Sequence, residues 1–149
     1  MYQAGNGGSM HHEIEFVRGQ VHDALVTVTG SMTVHGHRAW VAELVKDERW
    51  QPGMKALVDC TRFSLGSGFT SAEVRAMKRT TAADDADLGK GFSALVVDSP
   101  VVFGLLRMWQ AATHGMSWRT EVFYNREDAL AWLANPVDLS VAHQPDRVG

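Results

Sequence analysis

A single cysteine, Cys60, stands in 149 residues, so an internal disulfide is excluded and the core alone must hold the fold. Near-absence of cysteine fits a reducing compartment, and we expect a cytoplasmic protein. No window reaches the ~18 consecutive apolar residues of a membrane-spanning helix, which argues against integral membrane association. No basic stretch followed by an apolar run opens the chain, so no signal peptide is read. Positive charge is not in excess either. Lys and Arg number 14 against 17 Asp and Glu, a formal net charge of -3, which argues against nucleic acid as a partner.

What remains is an ordinary globular composition, with 45% hydrophobic and 21% charged residues. A chain of this length favours one domain and buries roughly 70% of its unfolded surface. Residues 1–10, MYQAGNGGSM, are polar and Gly-rich, and Met10 reads as an alternative start. The tail from Asn135, NPVDLSVAHQPDRVG, has two prolines and no helical stripe.

Between the ends, strand and helix patterns alternate. Glu13–Val17 alternates polar and apolar residues at the period of a half-buried strand, and Leu25–Val28 follows as its hairpin partner. Met54–Cys60 predicts a third strand after the turn pair Pro52-Gly53, Phe92–Val97 a buried fourth and Arg119–Tyr124 a fifth. Helices are predicted over Thr33–Glu48, with a stripe of Val34, Val41, Leu44 and Val45, and over Thr70–Ala83, with a capping box from Thr70 to Glu73. Another is predicted over Pro100–His114, where Ser99 is the N-cap and Pro100 the first helical residue, and a short last one follows the cap Asn125 to Leu133. Strands that lie side by side in chain order put every crossover helix on one face.

Three strings in this order, RWQPGMKALVDC, SPVVFGLLRMWQAA and VFYNREDALAWL, resemble the SpoIIAA-like family, which includes the STAS domains. The closer resemblance is to the bacterial STAS-like branch related to CRAL-TRIO lipid-binding domains. It implies a SpoIIAA-like α/β fold, a mixed, mostly parallel sheet of about five strands with helices mainly on one face. The domain would cover residues 13–134, between a disordered leader, 1–12, and an irregular tail, 135–149. The family implies no cofactor and no common reaction. Its anti-sigma-factor antagonists carry a phosphorylatable serine in an Asp-Ser-Ser-Gly-Leu context after the third strand. Here Leu65 and Gly66 replace the Asp and first Ser, and Ser67-Gly68-Phe69 matches the rest, so the phosphate carrier would be Ser67.

The segment Gly66, Ser67, Gly68, Phe69, Thr70, Ser71 follows a strand and opens a helix, where free amides and the helix dipole attract anions. It reads as an anion or phosphoserine loop, or as a flexible loop with a good cap. Ser71 stands where a dinucleotide fingerprint needs its third glycine.

The Pro100–His114 helix carries two apolar stripes, Val102, Leu106, Trp109, Thr113 and Val101, Leu105, Met108, Ala112, with Arg107 as its only charge. It is either covered on two sides or offers an interface through Val101, Leu105, Met108 and the aromatic anchor Trp109. Gly104 would then permit close packing.

The remaining candidates have plain readings. His35 and His37 do not share a helical face, His11, His12, His22 and His114 are scattered, and no metal site is expected. Asp84, Asp85 and Asp87 lack the Gly and Glu of a calcium loop, and Arg75, Lys78 and Arg79 read as a solvated face. No catalytic constellation surrounds Cys60. The expectation is a non-enzymatic regulatory or interaction module with a protein partner or a second copy of itself as a homodimer. The alternative is a binder of a small apolar or lipid-like ligand.

Overall fold

The computed structural model describes residues 10–64, 72–73, 75–79, 90–112 and 115–136. Five strands are formed, β1 (Met10–Phe16), β2 (Ala24–Ser31), β3 (Lys55–Ser64), β4 (Gly91–Val96) and β5 (Trp118–Phe123). Three helices are α1 (Val34–Lys46), α2 (Pro100–Ala112) and α3 (Arg126–Ala134), and residues 72–73 and 75–79 are also helical. No helix among the described residues is long and apolar enough to cross a membrane.

The strands lie in chain order, β1-β2-β3-β4-β5. β1 is antiparallel to β2, and the other pairs are parallel. A sequential parallel sheet with one crossover hand sends each connecting helix to the same face. Accordingly Trp40 and Leu44 of α1, Met77, and Val102, Leu106 and Trp109 of α2 share one cluster with Val26, Val58, Leu95 and Val122 of the sheet. The last described helix, α3, follows β5. It covers the opposite face, where Ala129, Trp132 and Leu133 pack on Leu57, Ala94 and Val96. Strand alternation separates the two sets, since neighbouring residues such as Leu57 and Val58 point to opposite sides.

Ser99 and Asn125 cap where the sequence signals, and Thr33, expected as the first helical residue, is the cap of α1. Thr33 accepts the Gly36 amide at 2.8 Å at the start of α1, and Asn125 accepts the Asp128 amide at 2.8 Å at the start of α3. Ser99 accepts the Val102 amide at 3.4 Å ahead of α2.

Several boundaries differ from expectation, those of β1 and β3 among them. The leader of residues 1–12 was too long by three, because Met10, His11 and His12 pair with Gly30, Thr29 and Val28 and belong to β1. β3 runs to Ser64, four residues past Cys60, because Thr29, Gly30 and Ser31 of the longer β2 pair with Arg62, Phe63 and Ser64 beyond a register shift. Both extensions are decided by the neighbouring strand's hydrogen bonds. The tail beyond residue 136 lies outside the described residues.

Candidate functional site

A cavity of about 50 Å³ lies between the sheet and helices α1 and α2. Its floor is formed by Val58 and Cys60 of β3, Ser93 and Leu95 of β4 and Trp118 and Thr120 of β5. His37, Trp40 and Val41 of α1 and Leu106 and Trp109 of α2 form its roof. The flexible thioethers of Met10, Met32 and Met77 and the ring of Phe63 close the remaining sides.

The roof is an aromatic cluster. The His37 ring meets Trp40 edge-on at 5.6 Å between centroids and Trp109 at 5.1 Å. His37 and Trp40 are three residues apart and therefore adjacent on α1. Removal from water lowers the His37 pKa from 6.5 to about 4, so the imidazole is neutral near pH 7. Part of the residue still reaches solvent.

The floor holds the polar groups. Ser93 and Thr120 are direct partners in the β4–β5 register, and their hydroxyl oxygens lie 3.0 Å apart. Trp118 Nε1–H donates to Ser93 Oγ at 3.0 Å. The Trp118 ring stacks on Trp50 at 5.3 Å and lies over Gly91, where a Cβ would come within 2.7 Å of it. A side chain at residue 91 would therefore displace the indole whose N–H anchors Ser93. The Cys60 thiol is buried, and desolvation, followed by the Asp59 charge, pushes its pKa up, so it stays protonated and is a poor nucleophile.

The predicted candidates separate sharply. Of the two stripes on α2, Val102, Leu106 and Trp109 face inward and Val101 and Met108 outward. Val101 is 71% exposed and Met108 46%, and Leu105 is half-buried. Trp109, expected as the aromatic anchor of an outer interface, is only 6% exposed and sits in the cavity roof against His37. Its position three residues after Leu106 keeps it on the core-facing stripe. Gly104 is exposed, and a Cβ there would meet nothing within 4 Å, so close packing does not explain it. The outer face has one charge, Arg107, whose Nη1 is 3.9 Å from Oε1 of buried Glu121.

The loop Gly66, Ser67, Gly68, Thr70, Ser71 and the acidic Asp84, Asp85 and Asp87 lie outside the described residues, as does His114. Arg75, Lys78 and Arg79 are exposed on their helix. His12 bonds Glu43 at 2.7 Å, His35 is exposed, and His22 is buried with its pKa lowered by desolvation and then by Arg126. No group of three or more His, Cys, Asp or Glu able to hold a metal occurs among the described residues.

The sequence reading weighed His37 only as a metal ligand and passed over Trp40, Ser93, Thr120 and Trp118. A signal existed for the roof, since His37, Trp40, Val41 and Leu44 follow helical spacing and share one side of α1. On the floor, Ser93 has the parity of buried Leu95 and Thr120 that of buried Val122.

No family model matches the sequence, and no curated protein does. Among solved structures, the chain is similar to an uncharacterised DUF3478 family protein with a SpoIIAA-like fold from Shewanella loihica PV-4. The TM-score is 0.53 at 16% identity, over 89% of this chain and 99% of that one. An agreement across nearly both whole chains, at so low an identity, speaks to architecture and not to role. The chain has the SpoIIAA-like fold.

Proposed function

We propose that this protein is a non-enzymatic binding module that holds a small, mainly apolar ligand in the cavity between the sheet and helices α1 and α2. The observation that carries the reading is the inward placement of Trp109. The residue best suited to anchor a protein interface instead lines a cavity with Trp40, Trp118 and three methionines. Small-molecule sites are concave and mostly apolar, with a few placed polar groups, and this cavity has that make-up. Its ionisable groups favour binding over catalysis: the His37 imidazole and the Cys60 thiol are both held in their neutral forms, and no carboxylate among the described residues lines the walls.

The test is a thermal-shift screen of small uncharged compounds on wild type and on Leu106→Phe, which places extra volume in the roof. Compounds that raise the wild-type melting temperature and lose their effect in Leu106→Phe support the reading. Compounds that act equally on both proteins bind elsewhere and count against it.

A second reading, a protein-interaction module that pairs with a partner or a second copy, rests on the outer face of α2. Val101 and Met108 leave apolar area exposed there, beside a single charge. Sedimentation of wild type beside Leu105→Glu and Met108→Glu tests self-association. A wild-type monomer at high concentration removes the dimer. A cytoplasmic location belongs to this proposal as well, and rests on the single buried thiol.

A further inference from the structure

We infer that the cavity selects an uncharged molecule of about four heavy atoms bearing an acceptor oxygen, as a carbonyl or hydroxyl group, held by the Ser93–Thr120 hydroxyl pair. The inference rests on the cavity being a ligand site and adds the chemistry of the ligand.

Size comes first. About 50 Å³ offers room for about four water-sized groups, at roughly 10–15 Å³ each, so a lipid chain does not fit the walls as they stand.

Charge comes next. Among the described residues, neither Lys, Arg, Asp nor Glu lines the cavity. A carboxylate or an ammonium would lose its hydration there and find no opposite charge, which strongly disfavours both.

The oxygen follows from counting protons on the floor. Ser93 Oγ accepts the Trp118 indole N–H at 3.0 Å, and one hydrogen bond of 3.0 Å joins it to Thr120 Oγ1. Two hydroxyls carry two protons, and their mutual bond uses one, whichever of them donates. If Ser93 donates, the Thr120 proton remains. If Thr120 donates, the Ser93 proton remains. One O–H donor is therefore left at the floor in either case, beside Cys60 and under the indole roof. A ligand oxygen that accepts this proton satisfies it, while its methyl groups meet Leu106, Trp109 and the thioethers.

The same count yields an unusual mutational pattern. Removing either hydroxyl alone leaves the other with a proton to give, so Ser93→Ala and Thr120→Val should each retain selectivity for oxygen. Removing both hydroxyls frees the Trp118 indole N–H, which donates to Ser93 Oγ in wild type, so only their removal together with Trp118→Phe leaves the floor without a donor.

The experiment is a titration followed by the indole N–H resonances of Trp40, Trp109 and Trp118, with acetone, isopropanol, acetate, isopropylammonium and pressurised xenon as probes. For four heavy atoms the affinity ceiling lies at tens of micromolar, so millimolar probe is used. In wild type, acetone and isopropanol should shift these resonances saturably, with acetate and isopropylammonium at least about tenfold weaker. Thr120→Val should stay within about twofold of wild type for acetone. Against Trp118→Phe alone, Ser93→Ala/Thr120→Val/Trp118→Phe, read at Trp40 and Trp109, should weaken acetone about fivefold, the worth of one neutral hydrogen bond, and leave xenon unchanged. If that triple variant does not fold, intermolecular Overhauser contacts from isopropanol methyls to the Leu106 and Thr120 methyls of wild type take its place, and their absence overturns the inference. Xenon binding without preference for the uncharged oxygen probes also overturns it, and leaves the cavity itself as a ligand site. No saturable response to any probe overturns both.

Discussion

On one face of the sheet, Leu57, Ala94 and Val96 meet Ala129, Trp132 and Leu133 of a single nine-residue helix. On the other, two 13-residue helices span Val26, Val58, Leu95 and Val122 and leave a cavity between them. The same strands supply both faces, so the contrast comes from what lies above them. The first face has one helix with small and aromatic residues set directly on short side chains. The second has two helices bridged by large rings, and rings that meet edge-on leave space that aliphatic side chains would fill. Polar groups accompany that space, since His37, Cys60, Ser93 and Thr120 all line it.

The largest effect that would sharpen this contrast is expected at Leu133, which is fully buried under the small face. Leu133→Ala should cost about 3–4 kcal/mol, measured by urea denaturation, from lost burial and a new void. A cost under about 1 kcal/mol would mean that this face is not closely packed.

Next comes a matched pair of enlargements. Ala94→Leu adds volume against Trp132 and should cost about 2–3 kcal/mol, whereas Cys60→Leu adds volume beside the cavity and should cost about 1 kcal/mol or less. Equal costs for the two would break the comparison.

Acid should act on the cavity side through His37. Its folded pKa of about 4 lies below the unfolded 6.5, so the folded state favours the neutral ring. The stability this confers is full above pH 6.5 and is lost as pH falls from 6.5 to 4. The loss should be on the order of 2 kcal/mol, below the roughly 3 kcal/mol of full linkage because the ring is partly solvated. His22, lowered in the same direction, adds to the acid limb. His37→Phe should flatten that limb when melting temperature is followed against pH, and an unchanged slope would show that His37 is not held neutral.

The smallest effects belong to the outer surface of α2. Gly104→Ala should stabilise the monomer by about 0.5–1 kcal/mol, because the site is helical and open. Met108→Glu should change stability by less than about 0.5 kcal/mol. A larger loss at Met108 would show that this face is covered in solution.

How much of this was legible beforehand follows the range of the forces involved. Period-two alternation marked β1, a continuous apolar run marked β4, and Ser99 and Asn125 marked helix starts, because caps and apolar patterns are local. The gathering of crossover helices on one face followed for strands lying in chain order, because crossover handedness is general. The two stripes of α2 were visible, yet which of them faced inward was not. Both are apolar, and only the sheet beneath decides that Trp109 is inside and Met108 outside.

The cavity was hidden for the same reason. His37, Ser93 and Thr120 are far apart in the chain, and a serine within FSALVV reads simply as one strand residue. The β4–β5 register sets Ser93 opposite Thr120, and the approach of α1 and α2 brings the His37, Trp40 and Trp109 rings together. Likewise the extra residues of β1 and β3 are strand only because β2 offers hydrogen bonds to them. The sequence by itself determined the elements, their order and the fold class, since these rest on local pattern and chain connectivity. Tertiary structure alone decided the site, because a cavity is the volume that packed elements fail to fill, and no single segment encodes it.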